Sequence, residues 1–321
     1  MDRSFSARRI LQPWIFHRLA LLLACLALMP QPSPAQAEGR SLLGSGRLIS
    51  NDSIGEMRDR WRSGSVSYSR VWGRDWDGQL PNGFGEILEL RLGGQIITPA
   101  SLRTPSPADR PMANSLAAGL HTHFQRGGID LSMGADLVVV GPQTGLDRLQ
   151  NTIHNAMGIV QSSRAVRDNQ IADGLHPTLV VEAGRDIALG AATALRPFVE
   201  GRAGDETLLR VGADLRIGRI GAGELLIRDT VTGQRYRTIQ SSDAQGYTFV
   251  MGGDIAHVAD SIYLPSNRGL ELTDSRTRLR AGLHYEGRHG SSFAGFTWLG
   301  PEFRGQPEGQ VLGSVRLNFN F

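Results

Sequence analysis

Two pairs of polar residues stand where this chain could do chemistry. Asn51-Asp52 lies at the end of the first alternating segment. Taken alone, an Asn-Asp step at a strand end is ordinary turn chemistry. Gln150 and His154 lie in Gly145 to Gly158, a stretch that reads as a helix because Leu146, Leu149, Ile153, Ala156 and Met157 make one apolar stripe at helical spacing. Being four apart, Gln150 and His154 share a face of that helix. A histidine on an amphipathic helix is usually structural. The two pairs matter together, because in a closed barrel the first, second, third and fifth strands reach the same mouth.

Two other groups invite chemistry less. His121 and His123 share a face of the fourth strand and resemble a metal pair. The rest of that face is small (Ala113, Ser115, Ala117, Gly119), so the histidines read as polar residues of a lumen. Ser63, Ser65, Ser67 and Ser69 alternate, but no G-x-S-x-G elbow surrounds them. They suit a polar wall.

The elements that must position these residues are strands. After residue 45 the dominant period is two. Ile129, Leu131, Met133, Ala135, Leu137 and Val139 oppose Asp130, Ser132, Gly134 and Asp136. Phe84 to Ile96 repeats the pattern, and Val311, Gly313, Val315, Leu317, Phe319 and Phe321 repeat it at the end of the chain. Such segments match a tilted transmembrane strand of about 9–11 residues.

Twelve of them are expected, near 45–53, 62–73, 84–97, 112–125, 128–141, 176–187, 192–203, 207–217, 246–258, 276–286, 292–301 and 309–321. The fold class is therefore all-β, a transmembrane antiparallel β-barrel with a short helix after strand five. An even strand count puts both termini on one side, and closure removes edges that lipid cannot hydrate. Long connections are expected at 54–61, 98–111, 142–175, 218–245 and 259–275, and the segment 221–229 reads as part of an extracellular hairpin.

Composition bounds the rest. Arg3, Arg8, Arg9 and Arg18 precede the apolar run Leu19 to Met29 and the small-residue site Ala35-Gln36-Ala37. This order is that of a signal peptide, residues 1–37, leaving 38–321 as the barrel. Cys25, the single cysteine, falls within it, so the mature chain is expected to hold no thiol. The formal charge of +3 belongs to the signal as well: its four Arg and one Asp leave 30 basic and 30 acidic side chains. A neutral mature chain argues against nucleic acid as a partner. No segment reaches 18 consecutive apolar residues, so no helical span is expected.

One run goes beyond this general picture. VGPQTGLDRLQNTIHNAMG, Val140 to Gly158, carries a G-P-x-x-G-x-x-x-x-Q-N-x-x-H pattern. With it come Ser50-Asn51-Asp52, Gly64 to Ser69, Gln95 to Pro99, Asp109-Arg110-Pro111 and Asp168-Asn169-Gln170. On these residues the chain resembles the outer-membrane lipid A 3′-O-deacylase (LpxR) family, over essentially the whole of 38–321.

The resemblance implies a twelve-stranded outer-membrane enzyme that hydrolyses an ester-linked acyl group of lipid A with Ca²⁺. It makes His154 the general base for water, a role that suits an imidazole near neutrality. It makes Asn51 and Asp52 oxygen ligands of Ca²⁺, and gives Gln150 a part in positioning the base or the intermediate. Arg103 falls where the family places basic residues that meet lipid A phosphate, and Arg62 is a second substrate-binding candidate. The chain departs from the family at Ser53, where an acidic residue is frequent, at Arg62, where Thr is frequent, and at Ile159-Val160, where an acidic residue follows the histidine.

A catalytically inactive family barrel with a lipid-binding or structural role is the alternative. A plain porin is disfavoured, because twelve strands enclose a narrow lumen. The expected partner is lipopolysaccharide of the outer leaflet, met by a monomer.

Overall fold

The computed structural model describes residues 39–240 and 244–319. The expected signal peptide, Cys25 and Phe321 lie outside the described residues. β1 spans Ser41–Asn51 and runs directly into a one-turn helix, α1, Asp52–Gly55. β2 (Trp61–Gly73), β3 (Ile87–Thr98), β4 (Ala113–Arg126) and β5 (Ile129–Val140) follow. Next come two helices, α2 (Leu146–Met157) and α3 (Arg164–Asp168). The sheet resumes with β6 (Gly174–Gly184), β7 (Ile187–Gly190), β8 (Thr193–Ala203) and β9 (Glu206–Ile217). A short hairpin, β10 (Leu225–Arg228) and β11 (Arg235–Ile239), precedes β12 (Gly246–Ser261), β13 (Arg276–Gly287), β14 (Gly290–Leu299) and β15 (Gln310–Phe319).

Twelve long strands close into one antiparallel barrel. Neighbours in sequence pair, β15 pairs β1 (Ile49 opposite Val315), and β6 pairs β8 (Leu179 opposite Ala203). The short β7 continues the same edge of β8, with Ile187 opposite Leu195. The alternation in sequence is the alternation of the wall. Along β13, Arg276, Arg278, Arg280, His284 and Glu286 are buried while Leu279, Leu283 and Tyr285 are exposed. Apolar side chains thus point outward, where hydrocarbon replaces water as the surrounding medium.

The interior is held by charge rather than by oil. Asp254 receives Arg278 at 2.9 Å, and also Arg210 and Arg280. Arg228 bridges Glu182 at 2.8 Å and Asp214 at 3.0 Å. His121 and His123 do face the lumen, and each takes a different carboxylate: Asp136 at 2.8 Å and Glu89 at 2.7 Å.

The segment after β9, which carries the β10–β11 hairpin, occupies the opposite end from the one expected. Strand parity puts both termini, the loop before β3 and the segment after β9 at one end, the periplasmic end of a single-chain outer-membrane barrel. The β10–β11 hairpin therefore enters from the periplasm, and its contacts agree. Trp76 Nε1 donates to the Gly223 carbonyl at 3.0 Å, from the loop before β3. Gly44 and Gly46, early in β1, let the hairpin backbone approach; a Cβ there would land on the carbonyls of Thr238 and Arg237. Leu225, Ile227, Tyr236 and Ile239 of the hairpin pack with Leu48, Val71, Ile87 and Phe293 inside the wall. The hairpin is a lumenal plug. Loop length misassigned it, because a long periplasmic connection is stable once its polar backbone pairs inside the barrel.

Candidate active site

The opposite, outer mouth holds the sequence-predicted pairs. Asn51 ends β1 and caps α1: its Oδ1 accepts the Ser53 N–H at 2.8 Å, a common N-cap bond. Gly64 stands opposite Asn51 in β2, and a Cβ there would come within 3.1 Å of Asn51 Nδ2. α1 in turn packs on β15; a Cβ at Gly55 would strike the Val311 carbonyl. Asp52 therefore opens a helix rather than extending the first strand.

Asp52 is 0% exposed. Its Oδ2 accepts the Arg60 N–H at 2.9 Å, and its Oδ1 has no partner among the described residues. Burial first, then the nearby charge of Asp59, push its carboxyl up to about 8, against the pull of the Arg60 and Ser53 N–H groups. A carboxyl kept neutral by burial ionises when a cation comes to sit beside it.

α2 lies in the loop between β5 and β6 and starts and stops on left-handed glycines, Gly145 and Gly158. Such a residue is a usual helix stop. The helix buries the side that is usually left wet. Asp147, Gln150 and His154 are buried, while Leu149 is 51% exposed. Of the apolar stripe that predicted the helix, Leu149 is exposed and Leu146, Ile153 and Met157 are half-buried.

His154 is fixed from both sides. Its Nδ1–H donates to the Val160 carbonyl at 2.7 Å, and its Nε2 lies 2.8 Å from Asp59 Oδ2. Burial lowers its pKa, but Asp59 and the Val160 carbonyl more than offset this, and the net shift is upward. Asp59 Oδ1 also accepts the Ser63 hydroxyl and, at 3.3 Å, the Gln150 amide. Gln150 Oε1 is buried with no partner among the described residues.

Asp59 was not legible as a site residue. It sits in the 56–60 connection with no motif around it, and only closure of the barrel sets it against α2. Its loop is bracketed by two non-glycine residues at positive φ, Met57 at 58° and Trp61 at 51°. Such positions cost of order 1–3 kcal/mol each and cluster at functional sites.

The structure thus brings Asp52, Asp59, Ser63, Gln150 and His154 to one mouth, with Asn51 behind Asp52. Two predicted residues are placed otherwise. Arg62 is buried in the lumen wall, its guanidinium on Glu302 at 2.8 Å and Gln95 at 2.7 Å. Glu302 also holds Arg110, so Arg62 is committed to an ion-pair network rather than presented to a substrate. Arg103 is exposed in the loop after β3, next to Leu102, whose carbonyl accepts the Ser163 N–H at 2.8 Å.

The profile of a protein family described as "Outer membrane protein LpxR" matches residues 21–321. The chain belongs to the LpxR family. It is an integral outer-membrane protein, as that family and the closed barrel require. Among solved structures it is similar to LpxR from Salmonella typhimurium, with 16% identity and a TM-score of 0.71, covering 87% of this chain and 100% of that one. That likeness establishes the shared fold. Far weaker matches are the NanC porin (9% identity, TM-score 0.39, covering 88% and 100%) and the KdgM porin with oligogalacturonate (7%, 0.38, covering 86% and 99%). No curated protein matches the chain.

Proposed function

We propose that this barrel removes an ester-linked acyl (acyloxyacyl) chain from the 3′ position of lipid A, with His154 as the general base. The observation that carries the reading is the outer mouth itself. The imidazole of α2 and the buried, unpartnered Asp52 oxygen of α1 open on the same mouth, and Leu149 of α2 is exposed to the surrounding lipid. An amphiphile offers both halves of that arrangement a partner: acyl chains for the apolar side, an ester and phosphates for the polar one. The family and the fold support the same reading.

In this scheme Nε2 of His154 takes a proton from water as its oxygen attacks the ester carbonyl. Collapse of the tetrahedral intermediate breaks the acyl–oxygen bond, and the imidazolium returns the proton to the departing sugar oxygen. A fatty acid and a free 3′-hydroxyl result. The Nδ1–H bond to Val160 fixes the tautomer that leaves Nε2 as the basic nitrogen. The amide of Gln150 fixes the approach of the carboxylate beside it.

The residues fit a hard divalent cation. Unpartnered buried oxygens on Asp52 and Gln150, with Asn51 adjacent, suit Ca²⁺. Among the described residues no three His, Cys, Asp or Glu side chains form a metal cluster, so a cation here would draw on amide oxygens beside Asp52. When bound, Ca²⁺ would polarise the carbonyl and stabilise the oxyanion. Asp52 and Asn51 would hold it.

The test is mass spectrometry of lipid A from cells expressing wild type or His154→Ala. Loss of one 3′-linked acyloxyacyl unit, abolished by the substitution and by chelation, is the expected result. An unchanged lipid A profile with folded wild-type barrel sinks the enzyme reading. The second reading, an inactive family barrel that binds lipid, has one observation in its favour: both ring nitrogens of His154 are engaged.

A further inference from the structure

A histidine with both nitrogens occupied is not yet a base. One of its two bonds must open before water can be deprotonated. The Val160 bond is local, six residues along the chain, and caps the end of α2. The Asp59 bond joins two separate loops across the mouth, so it is the one that can break without unwinding the helix.

What could take Asp59 away lies beside it. Its neighbour in sequence, Arg60, donates its N–H to Asp52 Oδ2 at 2.9 Å. Asp52 is fully buried and keeps an unpartnered Oδ1. Gln150, 4% exposed, touches Asp59 through its amide nitrogen and keeps an unpartnered Oε1. These oxygens are donors for a hard cation, and a second carboxylate would complete the neutralisation of two positive charges. An imidazole sharing a proton with Asp59 and a divalent cation bound to it compete for the same lone pairs.

We propose that Asp59 is a latch with two exclusive partners. It holds His154 Nε2 when no cation is bound, and it turns to a Ca²⁺ held with Asp52 when one arrives. Cation binding thereby frees the base. The strained backbone at Met57 and Trp61 marks the ends of the segment that moves. This rests on the hydrolase reading for its purpose, but its test does not use turnover.

The experiment is calorimetric titration of Ca²⁺ into the full-length folded barrel in detergent micelles. Wild type, His154→Phe, Asp59→Asn and the double variant are compared, with His154→Leu in reserve, and heat-modifiable mobility establishes folding of each. If the latch competes with the cation, His154→Phe tightens binding about fivefold or more, the low end of ordinary coupling between sites. Asp59→Asn weakens binding about tenfold. In the Asp59→Asn background, removing His154 changes nothing, because the coupling is then already gone.

Unchanged or weaker binding in His154→Phe overturns the latch. So does a tightening that persists without Asp59, since it would reflect only the loss of a positive charge. Wild type that takes up no Ca²⁺ overturns it as well. If the cycle behaves as expected while lipid A stays intact, the latch stands and the hydrolase reading falls.

Discussion

The two ends of this lumen treat buried charge in opposite ways. At the plugged end, Arg237 of β11 reaches Glu224 at 3.2 Å and also Glu286, and Gln234 donates to the Ala281 and Phe296 carbonyls at 3.2 Å. Carboxylates there meet guanidinium groups, and an apolar cluster packs the hairpin against the wall. At the outer mouth, Asp52 is as deeply buried but meets no guanidinium among the described residues, where Asp59 meets an imidazole, an amide and a hydroxyl. Buried polar groups are normally satisfied. The carboxylates paired with guanidinium groups at the plug hold the barrel, whereas Asp52 and Asp59, which meet none among the described residues, are placed to take a ligand.

Substitutions should therefore separate function from stability by position. The largest effect is expected at the mouth. His154→Ala should lower deacylation of lipid A by about 10²–10⁴-fold, the usual contribution of a general base, while heat-modifiable mobility stays normal. Equal loss of folding would erase the contrast. At the plug, Arg237→Ala removes the guanidinium that Glu224 and Glu286 share. Breaking such a pair costs about 3–5 kcal/mol, so the urea unfolding midpoint in micelles should drop. Wild-type stability in that variant would show that the plug does not hold the barrel.

Smaller effects sharpen the comparison. A carboxylate beside an imidazole favours its protonated form, so cation-free protein should show His154 titrating above its usual 6.5. Asp59→Asn should bring it down, followed by NMR of labelled histidine. With His154 as the proposed base, which must be neutral to act, activity is expected to fall as pH drops through its pKa. A pKa unmoved by Asp59→Asn would mean that the 2.8 Å contact carries no electrostatic weight. The smallest change is expected at Leu149, on the outward side of α2. Leu149→Glu should slow hydrolysis of lipid A in membranes a few-fold and leave a soluble short-chain ester unaffected. Equal slowing of both would assign Leu149 to the fold rather than to lipid.

Much of this was legible in the chain because barrel physics is local. A period of two in β5 or β13 fixes which side chains see lipid, whatever strand lies alongside. The helical stripe from Leu146 to Met157 fixed α2, and the Asn51-Asp52 and Gln150/His154 pairs carried the family resemblance. What the stripe could not say is which way it faces. Apolar residues predict burial in a soluble protein, yet α2 buries Asp147, Gln150 and His154 instead.

The sequence by itself thus determined a twelve-strand barrel, its inside and outside, and four residues of its mouth. Tertiary structure alone decided that the β10–β11 hairpin enters the lumen from the periplasmic end, that Arg62 is spent on Glu302, and that Asp59 meets His154. The reason is the same in each case. Periodicity is written in neighbours along the chain, whereas these contacts join residues that only closure of the barrel brings together.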